Sequence, residues 1–78
     1  MTTLEELAQA IELGHPNETE ELVRKALEEG TDPVELVEEV MVPAMRVVGE
    51  KYKEQQVDIP GILSSARSVL KGFEAVKE

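Results

Sequence analysis

The chain has 78 residues, with 17 Asp and Glu against 8 Lys and Arg for a formal charge of −9, and so acidic a surface argues against a nucleic-acid backbone as partner. At 41% hydrophobic it is too apolar for an acidic disordered tail, yet it is long enough for only one small core. It contains no Cys, which removes disulfides, thiolate metal sites and cysteine nucleophiles, and its longest nearly uncharged apolar stretch, Val40 to Met45, is far below the roughly 20 residues of a membrane span. A cytoplasmic, single-domain protein is expected.

Thr3 followed three residues later by Glu6 has the spacing of a capping box, and Gly14 suits a left-handed helix stop. A first helix is predicted over Leu4 to Leu13, with Leu4, Leu7, Ala8 and Ile11 on its inner face. Gly14-His15-Pro16 then punctuates the chain. Asn17 with Glu20 repeats the capping spacing and Gly30 supplies the next stop, so a second helix is predicted over Glu18 to Glu29, with Leu22, Val23, Ala26 and Leu27 inward.

Asp32-Pro33-Val34-Glu35 combines a capping acid, a proline where no amide partner is lost and a first-turn acid. The third helix is predicted over Pro33 to Glu54 and is apolar nearly all round at its centre. One stripe holds Val37, Val40, Ala44 and Val47, and a neighbouring one holds Met41, Met45, Val48 and Tyr52. One stripe suffices for a core, which leaves the other available. Because the pattern keeps its phase on both sides of Pro43, the helix is expected to continue through that residue with a bend. Gln55 to Asp58 breaks the pattern, and Pro60 opens a fourth helix over residues 60–77 with Ile62, Ala66, Val69, Phe73 and Val76 inward. Four amphipathic helices on short turns predict an all-α fold, a small antiparallel four-helix bundle.

The inventory for catalysis is poor. The one histidine, His15, lies in a turn and reads as a solvent-exposed residue without a nucleophile beside it. Acid pairs such as Glu20/Glu21 and Glu38/Glu39 lie on polar faces as solvated charges, and no helix carries the Glu-x-x-His spacing of a bundle metal site. Isolated Gly49 and Gly61 make no phosphate loop. No enzyme is expected. Tyr52, Ile59 and Ile62 converge at one end of such a bundle, either as ordinary core residues or as an exposed binding face for a flat ligand or a partner domain.

The run from Val42-Pro43-Ala44-Met45 through Val47-Val48-Gly49 to Tyr52, then Ile59-Pro60 and Ser65-Ala66-Arg67, resembles the helical cap domain of cobalamin-binding modules. Such modules occur in cobalamin-dependent methionine synthase and in corrinoid proteins of methyltransferase systems. The resemblance covers nearly the whole chain, and its most specific part is the Pro-x-Met-x-x-Val-Gly-x-x-aromatic spacing with a second proline eight residues on. It implies a four-helix lid over the upper face of a corrinoid, shielding its methyl group, with Tyr52, Ile59 and Ile62 as the cofactor-facing residues and no catalytic or metal-ligating residue of its own. The cofactor implied is methylcobalamin or a related corrinoid, held in a longer protein, and the partners are a Rossmann-like cobalamin-binding domain and methyltransferase subunits. That domain, with its Asp-x-His-x-x-Gly motif, is not in these 78 residues, so the chain alone is expected to bind little or no corrinoid. The loop before the last helix departs from the family pattern: Gln55 and Asp58 stand where a glycine and a second aromatic are common. A helical interaction or dimerisation module without a corrinoid role is the alternative, and an uncovered apolar face predicts a modest homodimer of the isolated chain.

Overall fold

A computed structural model describes Met1 to Lys77. Among these residues the chain is helical throughout, in four helices: α1 (Thr3–Leu13), α2 (Pro16–Glu28), α3 (33–53) and α4 (Ile59–Lys77). They share a single core formed by residues such as Leu7, Ile11, Val23, Leu36, Met41 and Val48, each without solvent exposure. The helices pack into a body of 36 × 20 × 17 Å.

Helix α1 starts one residue earlier than the capping pattern predicts. Two overlapping pairs, Thr2 with Glu5 and Thr3 with Glu6, have the same spacing, and the earlier one forms the box because it adds a helical residue without changing the apolar phase. The Thr2 N–H donates to Glu5 Oε1 at 3.0 Å and the Glu5 N–H to Thr2 Oγ1 at 3.2 Å. The Thr2 N–H, backed by the Thr2 hydroxyl, holds the Glu5 carboxyl below its ordinary range.

Helix α2 likewise starts at Pro16, not at an Asn17 cap. His15 occupies the cap position without a side-chain bond to the helix's backbone N–H groups, since proline is preorganised for the first helical position and carries no N–H to satisfy. The Thr19 hydroxyl, fully buried, donates to the His15 carbonyl at 2.7 Å.

Helix α3 begins at Pro33, where the Val34 N–H donates to Asp32 Oδ1, and it runs unbroken across Pro43. The stretch Leu36–Met41 is a π-helix, and the Val42 N–H reaches back to the Val37 carbonyl. A proline removes one donor and its ring crowds the carbonyl four residues back, so widening the preceding turn relieves the clash without ending the helix. The wide turn also resets the phase: Leu36 and Met41, five apart, are both fully buried, and Met41, Ala44 and Val48 then continue at ordinary helical spacing.

Helix α4 departs most from expectation. Its buried face is Ser65, Ser68, Val69, Gly72 and Ala75, while Ile62, Ala66, Phe73 and Val76 lie half-buried at the flank. Small residues let α4 approach its neighbours closely, and its largest interface is with α2. A side chain at Gly72 would run into Met41 Cε and come within 3.3 Å of Val23. The buried hydroxyls are satisfied by carbonyls, Ser68 by Ser64 at 2.9 Å and Ser65 by Glu12 at 3.4 Å.

Three helices end in the same turn. Paired backbone bonds close α1 (His15 N–H to Ala10, Gly14 N–H to Ile11), α2 (Thr31 to Ala26, Gly30 to Leu27) and α3 (Gln56 to Lys51, Gln55 to Tyr52), which is the Schellman arrangement. Each needs a left-handed residue. Gly14 (φ 74°) and Gly30 (φ 95°) provide it without strain, whereas at the third position Gln55 adopts φ 62° at a cost on the order of 1–2 kcal/mol.

Two measurements check this account. Gly30→Ala should destabilise by about 1–2 kcal/mol, the left-handed penalty alone, because nothing lies within 4 Å of the added methyl. Gly14→Ala, whose methyl would sit 2.7 Å from Ser64 Cβ, should cost at least about 1 kcal/mol more in urea unfolding; equal losses would mean that α4 does not press on this turn. Conversely, Gln55→Gly should stabilise by about 1 kcal/mol and raise Tm by about 4–8 °C in a thermal melt.

Candidate functional site

The end of α1, the end of α3 and the start of α4 meet at one end of the molecule. Lys51 Nζ lies 3.4 Å from Glu12 Oε1, and the Ser65 hydroxyl donates to the Glu12 carbonyl, so α1 is tied to both α3 and α4. Helix α4 is capped by Asp58, whose Oδ1 accepts the Gly61 N–H at 2.9 Å and whose carbonyl accepts the Ile62 N–H. These ties fix the loop between α3 and α4.

That loop borders an open cleft of about 880 Å³ lined by Tyr52, Lys53, Gln55, Gln56, Val57, Asp58 and Gly61, with Glu12 and Leu13 of α1 opposite. Tyr52 is 42% exposed, so the second stripe of α3 divides: Met41 and Val48 enter the core while Tyr52 leaves it. Ile59 is 55% exposed on the first residue of α4, and Ile62, one turn on, is half-buried. Tyr52 borders the cleft; Ile59 and Ile62 do not. None of the three is a core residue.

Sequence reasoning missed the rest of the apolar surface. Leu63 and Leu70 are exposed and follow Ile59 at four and eleven residues, one row along the outside of α4, and Leu13 is exposed beside the cleft. The row was legible as periodicity, but it competes with Ile62, Val69 and Phe73 for the role of inner face, and only the small residues settle which side faces in. The first stripe of α3 has a different fate. Val40, Ala44 and Val47 line a shallow groove against Leu4 and Ala8 of α1, with a volume of about 280 Å³.

His15 is half-exposed in its turn, 3.3 Å from Glu18. Among the described residues no cluster of His, Cys, Asp or Glu could hold a metal ion, and no helix is long and apolar enough to cross a membrane. Hydrocarbon can cover a ligand and exclude water; it cannot ligate or transfer a proton.

Comparison with known proteins fits this picture. The chain is 33% identical over 72 residues to the methanol corrinoid protein of Methanosarcina barkeri, covering 92% of this chain and 28% of the relative. It is 36% identical over 73 residues to a corrinoid protein of Desulfitobacterium hafniense (94% and 34%). With a trimethylamine corrinoid protein of Methanosarcina acetivorans it shares 35% over 57 residues (73% and 26%). The chain thus spans about a third or less of the length of these curated relatives. No solved structure matches it. A family model described as a B12 binding domain matches residues 3–77, nearly the whole chain, and the protein therefore belongs to that family, the helical cap domain of cobalamin-binding modules.

Proposed function

We propose that this domain is the lid of a cytoplasmic corrinoid methyl carrier, an antiparallel four-helix bundle that covers the upper face of the cofactor and its methyl group. The observation that carries the reading is the pair Tyr52 and Ile59, two large apolar side chains left exposed at one end of a cap-family fold. The relatives named as corrinoid proteins support it. Tyr52, Ile59 and Ile62 suit a covering role, since they present hydrocarbon to whatever lies against this end. When bound, the corrinoid supplies the methyl-carrying metal centre, held by a Rossmann-like domain and served by methyltransferase subunits. Tyr52, Ile59 and Ile62 then exclude water and oxidants from its upper face, because packed apolar side chains leave no path for solvent. The domain itself is accessory and catalyses nothing.

The row Ile59, Leu63 and Leu70 favours a second role for α4, contact with another protein surface, because three exposed aliphatic residues on one helix face invite burial. In the isolated chain the available partner is a second copy. A weak symmetric dimer is expected in sedimentation at high concentration, and Leu63→Glu should return it to monomer. A strict monomer at every concentration would remove the dimerisation reading.

The lid reading is tested in a chimera carrying residues 3–77 in place of the cap of the M. barkeri methanol corrinoid protein. Tyr52→Ala should leave stability within about 1 kcal/mol, as expected for a half-exposed side chain. It should also speed photolysis and oxidation of the bound cofactor several-fold. A loss of about 3–5 kcal/mol with unchanged photolysis would overturn the assignment.

A further inference from the structure

The cleft beside Tyr52 contains an imbalance that the lid reading leaves unused. Every charged group that lines it already has a partner: Glu12 with Lys51, Lys53 with Glu50 at 3.8 Å, and Asp58 with the Gly61 N–H. The two remaining long polar side chains, Gln55 and Gln56, are exposed and make no hydrogen bond among the described residues. Both are carboxamides, each offering two donors and an acceptor with no net charge. Their backbone is meanwhile fixed, since the N–H groups of both close the α3 turn.

Gln55 adds a second observation. It holds the left-handed position of a turn whose two counterparts in this chain are glycines. The left-handed conformation disfavours any side chain with a Cβ, so selection for stability alone would put glycine here as well. Strain kept at a site of this kind points to a use for the side chain.

Resting on the lid reading, we propose that Gln55 and Gln56 form a carboxamide rim that receives the neutral amide side chains at the edge of the corrin while Tyr52 covers its face. The chemistry is matched on both sides. A primary amide both donates and accepts, so amide meeting amide satisfies each group without burying a charge. A rim of free lysine or carboxylate would instead require desolvating an ion opposite a neutral group, which is costly. The rim would fix how the lid sits on the corrin, a matter that apolar contact at Tyr52 and Ile59 leaves loose because it is non-directional.

The test uses the 78-residue chain, whose affinity without the cofactor-holding domain is expected to be weak, and methylcobalamin therefore at millimolar concentration, read by NMR. The side-chain NH₂ resonances of Gln55 and Gln56 should shift together with those of the Tyr52 ring and the Ile59 methyls, and to the same saturation point. The double variant Gln55→Gly/Gln56→Ala should weaken the dissociation constant about three- to tenfold, the effect of losing one or two hydrogen bonds. Its Tm should not fall, since Gln55→Gly relieves the strained turn. Weaker binding with undiminished stability is an outcome that a structural role for these glutamines cannot produce. Shifts at Tyr52 and Ile59 with the glutamines silent, or a double variant that binds as well as the parent, overturn the rim and leave the lid standing. Absence of any shift also overturns it, and the lid reading then rests on the chimera alone.

Discussion

The close approach of α4 to the rest of the molecule is the contact on which the other features depend. It is made by side chains that are nearly absent. Gly72 admits Met41 between α4 and the core, Ser65 and Ser68 turn their hydroxyls onto nearby carbonyls, and Gly14 lets the α1 turn lie against Ser64. Because this face is narrow, the large residues of α4 are displaced sideways and outward. The half-buried flank of Ile62 and Phe73 and the exposed row of Ile59, Leu63 and Leu70 follow from the same packing. A helix with large inward residues would stand farther from α1 and α2, and the end where α1, α3 and α4 meet would lose its shape.

Much of the framework is legible in the residues alone. Gly14, Gly30, Pro33 and Pro60 mark helix ends by fixed chemistry, and the four predicted elements agree with the observed ones to within about two residues. The family resemblance rests on Pro43, Met45, Gly49 and Tyr52, and the match over residues 3–77 bears it out. What could not be read came from three physical sources. Thr2/Glu5 and Thr3/Glu6 are degenerate by spacing, and only the position of the chain chooses between them. The phase of α3 changes at Leu36–Met41, where a π turn adds a residue that a constant 3.6-residue period cannot show. The inner face of α4 keeps the expected Val69 but is otherwise built mostly from serine and glycine, which hydrophobic patterning does not count.

The candidate site was legible in kind more than in detail. Tyr52 and Ile59 are both exposed at one end, yet the cleft beside Tyr52 depends on the three-dimensional meeting of Leu13 with the α3–α4 loop. Exposed Tyr52 and exposed Gln55 and Gln56 come from adjacent pieces of chain, because they flank the turn that closes α3. The closure of α3 therefore decides which apolar and which carboxamide side chains this end presents to solvent.

The placement of Tyr52 has a spectroscopic consequence. It is the one tyrosine in a chain with no tryptophan and a single phenylalanine, and it is half outside the core. Ultraviolet emission and near-ultraviolet circular dichroism from this domain accordingly report its outer end and say little about its interior. Loosening of the core would pass almost unseen in those signals and has to be followed through the backbone. A strongly absorbing macrocycle laid against Tyr52, by contrast, would extinguish nearly all of the domain's intrinsic fluorescence at once, which makes the native chain its own optical indicator of an occupied face.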